Sequence, residues 1–269
     1  MPTKHRLQDM TWTEFRDRLP EKPVILLPLG AQEEQGPTAP MGDFMLADRI
    51  ASEVALRSGA VMAPTLPFGD SEFFRTFPGC ISLRPATFTQ VIVDICTNFL
   101  DHGLERIIIL NGQTSNAPHL DTATRQLLAS RGVMIPCLHL WRIFPAEEWQ
   151  KLLGPEGAKA RIGHGGDPIT SVYMHYFPEL VRQDLLPERR AWKKAIGLPT
   201  RSVSSVDFKG VPVSMPLDIA AMTDDGVLSG DSRFSSPEIG RAIAEHVVGF
   251  AADFVAHVKT QDMRASKPA

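Results

Sequence analysis

The chain has 269 residues, 43% of them hydrophobic and 22% charged, which is enough to bury one large core and excludes a disordered or fibrous protein. Its formal net charge of -3 offers no electrostatic footprint for nucleic acid or an anionic membrane, so a small molecule or another subunit is the expected partner. No stretch approaches the roughly 18 apolar residues of a membrane span. The N-terminal Met1-Pro2-Thr3-Lys4-His5-Arg6 runs into polar residues rather than an apolar signal region, so a cytoplasmic location is expected.

Apolar runs and amphipathic stretches alternate along the chain. Val24-Ile25-Leu26-Leu27 is a continuous hydrophobic run ending in Pro28-Leu29-Gly30, which suits a strand covered on both faces. Residues 44–58 carry Met45, Leu46, Ile50, Val54 and Ala55 at helical spacing, and Ala60 to Pro64 reads as a short strand. Residues 85–103 form a second helix, with Phe88, Val91, Ile92, Ile95, Phe99 and Leu100 on its core side and Gly103 closing it. Arg106 to Leu110 is the clearest buried strand. Residues 117–131 make a helix ended by Gly132, and Val133 to Leu138 is a fourth strand candidate.

Strands and helices at this spacing predict parallel βαβ units, and so an α/β fold: one three-layer domain over residues 1–269 with a mainly parallel central sheet. The middle of the chain, residues 145–216, shows only turns at Gly154-Pro155 and Gly163 to Gly166, a charged run Glu188-Arg189-Arg190, and a Val/Ser stretch from Ser202 to Val206. Residues 237–259 form a last amphipathic helix with Ile239, Ile243, Val247, Val248, Ala251 and Val255 mostly on one face. Cys80, Cys96 and Cys137 are widely spaced with no metal-ligand pattern, and are expected to be buried free thiols.

In open parallel sheets, ligands bind beyond the carboxyl ends of the strands, and two unusual turns lie there. The first strand is followed by Gln32-Glu33-Glu34-Gln35-Gly36-Pro37 and then Gly42-Asp43. Clustered carboxylates repel one another unless a cation or proton intervenes, although Asp43 read alone is also a preferred helix N-cap. The third strand is followed by Asn111-Gly112-Gln113-Thr114-Ser115-Asn116, which read alone is a turn with Thr114, Ser115 or Asn116 capping the next helix. A third segment is Gly163-His164-Gly165-Gly166-Asp167-Pro168. A histidine flanked by glycines has little reason to be there for packing, so His164 is the best general acid/base candidate, with Asp167 near enough in sequence to orient it. Phe68, Phe73, Phe74, Phe77 and Trp141 are available to wall a pocket, although aromatics at loop positions more often pack.

Together these motifs resemble the creatininase (creatinine amidohydrolase) family from end to end. The two turns resemble its Glu-x-His-Gly and Asn-Gly-His-x-x-Asn signatures. Phe77-Pro78-Gly79-Cys80-Ile81-Ser82-Leu83 resembles its Phe-Pro-Gly-Thr-x-Ser-Leu, and Gly230-Asp231 with Glu238-x-Gly240 resembles its C-terminal pattern. The resemblance implies a metal-dependent homo-oligomer, often a hexamer, that hydrolyses cyclic or simple amide C–N bonds. It places the family's paired-metal carboxylates on Glu33 and on Asp43, the latter if one residue is deleted before it, and the catalytic histidine on His164. A further family carboxylate falls either on Ser115 or on Asp167, and the two ligand histidines fall on Gln35 and Gln113. A glutamate that commonly precedes the Thr-Ser pair falls on Ile169.

Neutral imidazole is the commonest side-chain ligand of zinc and its neighbours, whereas a Gln amide is a weak, hard oxygen donor. The remaining donors, Glu33, Asp43 and Asp167 with Gln35 and Gln113, are oxygen-rich and suit at most one divalent cation, Mn, Mg or Zn, or none. Three functional readings follow. The first is a hydrolase of a small polar, cyclic amide or ketone with a remodelled metal site, in which His164, Glu33 and Asp167 act on the substrate. The second is a metal-free enzyme, such as a lyase, isomerase or hydrolase, in which Glu33, Asp43 and His164 act only as acid and base. The third is a catalytically silent ligand-binding homologue, against which the retention of Glu33, Asp43, His164 and Asp167 together argues.

Overall fold

A computed structural model of the protein describes residues 4–186, 188 and 192–265; Arg189 and Arg190 of the charged run lie outside the described residues. Helix α1 (Trp12–Arg18) starts with a capping box between Thr11 and Glu14. Strand β1 (Ile25–Leu29), buried at every position, is followed by α2 (Phe44–Ser58) and β2 (Val61–Met62). Helix α3 (Pro85–Asp101), strand β3 (Ile107–Asn111), helix α4 (Ala117–Arg131) and strand β4 (Cys137–His139) complete the βαβ series.

The four strands form an all-parallel sheet in the order β2-β1-β3-β4. Leu29 sits opposite Asn111, and Asn111 opposite His139, so the two unusual turns leave the same sheet edge side by side. This is the predicted placement, and it follows from parallel pairing of two strands buried on both faces.

The expected fourth strand is shorter and later than residues 133–138. Pro136 has no N–H to give the ladder, and Val133 is drawn instead to Arg264, with the Met134 N–H donating to the Met263 carbonyl at 2.8 Å. Two of the expected buried thiols, Cys80 and Cys137, are only part-buried, while Cys96 is in the core.

The middle of the chain is more structured than its sequence pattern suggests. It contains α5 (Leu140–Ile143), α6 (Ala146–Arg161) with a bend at Gly154 and Pro155, and α7 (Ile169–Tyr176). A separate antiparallel sheet follows, built of β5 (Lys194–Ala195), β6 (Leu198–Ser202), β7 (Ser205–Phe208) and β8 (Val211–Ser214) in that order. All four residues of β8 are exposed, so the strand carries no core-facing periodicity for a sequence to display. Helices α8 (Ile219–Met222) and α9 (Pro237–Val258) close the chain.

Helices flank the parallel sheet. Helix α2 packs on β1 and meets α7 and α9, whereas α3 and α4 pack against each other. Leu46 and Ile50 of α2, Val172 and Tyr173 of α7, and Ile243 and Val247 of α9 are all fully buried in one continuous core. The Tyr173 hydroxyl donates to the Gly42 carbonyl, which pins the first turn to α7. No helix among the described residues is long and apolar enough to cross a membrane.

Candidate functional site

The turns after β1 and β3 and the His164 loop converge on one cavity of about 440 Å³. Glu33, Gln35, Asp43, Gln113, His164 and Asp167, the residues singled out from sequence, all line it. Of the five candidate wall aromatics, Phe73, Phe74 and Trp141 do so as well.

Glu33 is the hub. Its Oε1 accepts the Gln35 side-chain N–H at 3.3 Å, and its Oε2 accepts both the Ser71 hydroxyl at 2.9 Å and the Gln113 side-chain N–H. Ser71 arrives on a segment laid along the first turn, with the Gly30 N–H donating to the Leu66 carbonyl at 3.1 Å. Nothing in the sequence marked Ser71, because its role depends on that long-range pairing.

Asp43 occupies the N-cap position of α2 but does not cap it. Its Oδ1 accepts the Ala31 N–H at 2.8 Å, closing the first turn upon itself. Asn116 likewise leaves α4 uncapped and staples turns together: it accepts the Asp70 N–H at 2.8 Å and donates to the Gly30 carbonyl at 3.2 Å. The capping readings of both turns therefore give way to turn-to-turn bonding, which satisfies buried groups that no helix end could reach.

The carboxylate that orients His164 is Glu34, not Asp167. His164 Nε2 lies 2.9 Å from Glu34 Oε1, and the other Glu34 oxygen accepts the Gly36 N–H at 2.6 Å. Glu34 was visible as part of the acidic turn, but its chain neighbour Glu33 carries the family signature. Asp167 serves the scaffold, accepting the Ser171 N–H at 3.2 Å and the Ser235 hydroxyl at 2.8 Å while lining the cavity.

The glycines around His164 answer to close approach of a second segment. Gly163 and Gly165 have φ of 147° and 85°, and a Cβ on Gly163 would overlap the Ser229 side chain. That segment is held by the Leu228 and Gly230 N–H groups on the His164 carbonyl at 3.1 and 3.2 Å, which gives Gly230 of the C-terminal pattern a structural role. His164 is also more packed than flanking glycines imply: its ring lies 4.4 Å from that of Phe74.

Burial sets the protonation of the site. It pushes Glu33 up to about 8, with Asp43 and Glu34 adding to the rise and His164 and the Ser71 hydroxyl opposing it. Burial also raises Asp43 well above the usual carboxylate range, against the pull of the Ala31 N–H. For His164, burial disfavours the charged ring, but the hydrogen bond and charge of Glu34 outweigh it and the net shift is upward.

A consequence is measurable in chelator-dialysed protein. Glu33 titrates at about 4.5 in the unfolded chain and about 8 when folded, so between those values the native state holds the extra proton. Stability should therefore fall as pH rises through that window, by up to about 1.4 kcal/mol per pH unit for one proton. Glu33→Gln should flatten that fall in urea-unfolding midpoints. Parallel pH dependences in the two proteins would contradict the assignment.

The metal pair implied by the family resemblance finds a poor donor set here. Both Glu33 oxygens are taken by amide and hydroxyl donors, and one oxygen each of Asp43 and Asp167 accepts protein donors. Gln35 and Gln113 turn N–H groups, not oxygens, toward Glu33. Among the described residues no three His, Cys, Asp or Glu side chains form a ligand group, so Glu33, Asp43 and Asp167 line one cavity without making a cage for the single cation expected of them. These residues do not fit the family's metal centre.

Comparison with known proteins places the whole chain. The creatininase family profile, described as creatinine amidohydrolase, matches residues 8–255. Creatinine amidohydrolase of Pseudomonas putida is 28% identical over 261 residues, 92% of this chain and 94% of that one. The mycofactocin precursor peptide peptidase of Mycobacterium ulcerans is 27% identical over 246 residues, 87% of this chain and 86% of the other. A manganese form of creatininase superposes with a TM-score of 0.78 at 27% identity, covering 96% of this chain and 100% of the other. The fold, the ordered motifs and a match along nearly the full length agree, and the chain belongs to the creatininase family of hydrolases.

Proposed function

We propose that this protein hydrolyses the C–N bond of a small polar amide, cyclic or with a ketone-like carbonyl, by acid/base chemistry at Glu33 and His164. The observation that carries this reading is the His164–Glu34 pair at 2.9 Å, with His164 facing the same cavity as the amide-bound Glu33. The two groups are close enough for the charge of each to act on the other.

In this reading the ionised form of Glu33, whose share grows as pH rises toward 8, takes a proton from the water that attacks the amide carbonyl carbon. Gln35, Gln113 and Ser71 fix its position and leave it little freedom to turn away. His164, whose charged form the hydrogen bond to Glu34 favours, gives its proton to the leaving nitrogen as the C–N bond breaks. One water is consumed, and a carboxylic acid and an amine are formed. Relatives use the fold on creatinine and on a precursor peptide, and the cavity of about 440 Å³ suits a ligand of small-molecule size.

The test is ring opening of creatinine, hydantoin and pyroglutamate, together with cleavage of short peptides, followed by NMR with purified protein. Turnover of one cyclic amide that is lost in Glu33→Gln is the expected result. Turnover of none of them, or activity unaffected by Glu33→Gln, would remove the proposal. A homo-oligomer belongs to the same reading: Ile196, Phe208, Val211 and Val213 expose apolar surface on the antiparallel sheet, and a monomeric mass by light scattering would count against it.

A further inference from the structure

The cavity presents one strong cation that the chemistry above does not use. Arg142 of α5 lines it beside Trp141, next to apolar wall residues that include Phe73, Ile162 and Val203. Arg6 and Arg233, by contrast, sit on Asp48 at 2.8 Å and Asp231 at 2.9 Å. Arg142 forms no such ion pair with any described residue. The other basic group of the cavity, His164, already has its counter-charge in Glu34.

The Arg142 side chain is exposed at the cavity, and its helix is anchored through the neighbouring residue. The Trp141 indole N–H donates to the Gly112 carbonyl, which ties α5 to the turn carrying Gln113. Its charge reaches the carboxyl end of β4. There burial comes first and Arg142 second in holding His139 below its ordinary range, and Arg142 opposes the burial that raises Cys137. A guanidinium offers paired N–H donors in a rigid fork that matches a carboxylate, and its strength grows as water is displaced.

We propose that Arg142 is a specificity-determining residue that selects amides bearing a carboxylate. The guanidinium receives that carboxylate through paired hydrogen bonds, while the apolar wall receives the ring or chain between it and the scissile amide. This rests on the amide-hydrolysis reading above and adds the class of substrate to it.

The experiment is calorimetric binding to the full-length protein of two matched pairs: pyroglutamate against pyroglutamide, and N-acetylphenylalanine against its carboxamide. In at least one pair the acid should bind about 10-fold or more tightly than the amide, as expected for a charge-assisted pair of hydrogen bonds, and added salt should weaken that preference. Arg142→Gln should erase the preference while leaving the affinity for the neutral amide unchanged, and Arg142→Lys should keep only part of it. Equal binding of acid and amide, binding of neither, or a preference that survives in Arg142→Gln would overturn the assignment. A preference for the acids without turnover of any amide would support the role of Arg142 and instead overturn the hydrolysis reading on which it rests.

Discussion

Replacing Gln35 and Gln113 together with histidine should raise the affinity of this protein for Mn²⁺ or Zn²⁺ by about 10²-fold or more, because imidazole is a far better ligand than an amide and even outer-shell partners of a metal are worth 10–100-fold. Both glutamines are buried and touch Glu33, so both imidazoles would face the cavity beside Glu33 and Asp43. The change also removes the amide N–H groups that occupy the Glu33 oxygens. Metal content after dialysis, and a melting temperature that rises with added metal in the double variant alone, are the readouts. A double variant that folds and gains no affinity would mean that the two positions do not converge as ligands.

The second large effect is expected at His164. His164→Asn should lower turnover by about 10²-fold or more if the ring supplies the proton to the leaving nitrogen. It should also lower stability by about 1–3 kcal/mol, since it leaves the buried Glu34 carboxylate with the Gly36 N–H and without its ring partner, and strips the contact with Phe74. A loss of turnover alone would not separate the two effects, so the companion variant is Glu34→Gln. Glu34 raises the pKa of His164, and activity that needs the protonated ring is lost as pH rises through that pKa. In Glu34→Gln the alkaline limb of the pH–rate profile should therefore move to lower pH. An alkaline limb that does not move would place the titrating acid elsewhere.

The parts of this structure that were legible in the sequence are those fixed by local pattern. The runs at β1 and β3 contain hydrophobic residues with no polar alternation, which leaves little choice but strands covered on both faces, and their parallel pairing then puts Glu33 beside Gln113. His164 stood out because glycines surround it, although their reason proved to be the close approach of the Ser229 segment. What stayed hidden depends on contacts across long separations. Ser71 reaches Glu33 only because its segment pairs along the first turn, and Glu34 reaches His164 across 130 positions of chain. Asp43 and Asn116 have the residue types of helix caps, but a cap is a local preference that yields when a buried N–H elsewhere needs an acceptor. The exposed β8 strand gave no periodic signal because no core lies beneath it.

Amide and hydroxyl donors hold Glu33, whereas a solved structure similar to this chain is a manganese form of creatininase, and whether this chain needs a metal is open to one direct measurement. Wild-type protein is dialysed against chelator, its metal content is determined, and its turnover of an identified amide substrate is assayed in the same sample. Turnover should be unchanged when metal falls far below one ion per chain, and added Mn²⁺ or Zn²⁺ should not increase it. Turnover that disappears with the metal and returns in proportion to Mn²⁺ or Zn²⁺ bound would contradict the acid/base chemistry assigned to Glu33 and His164.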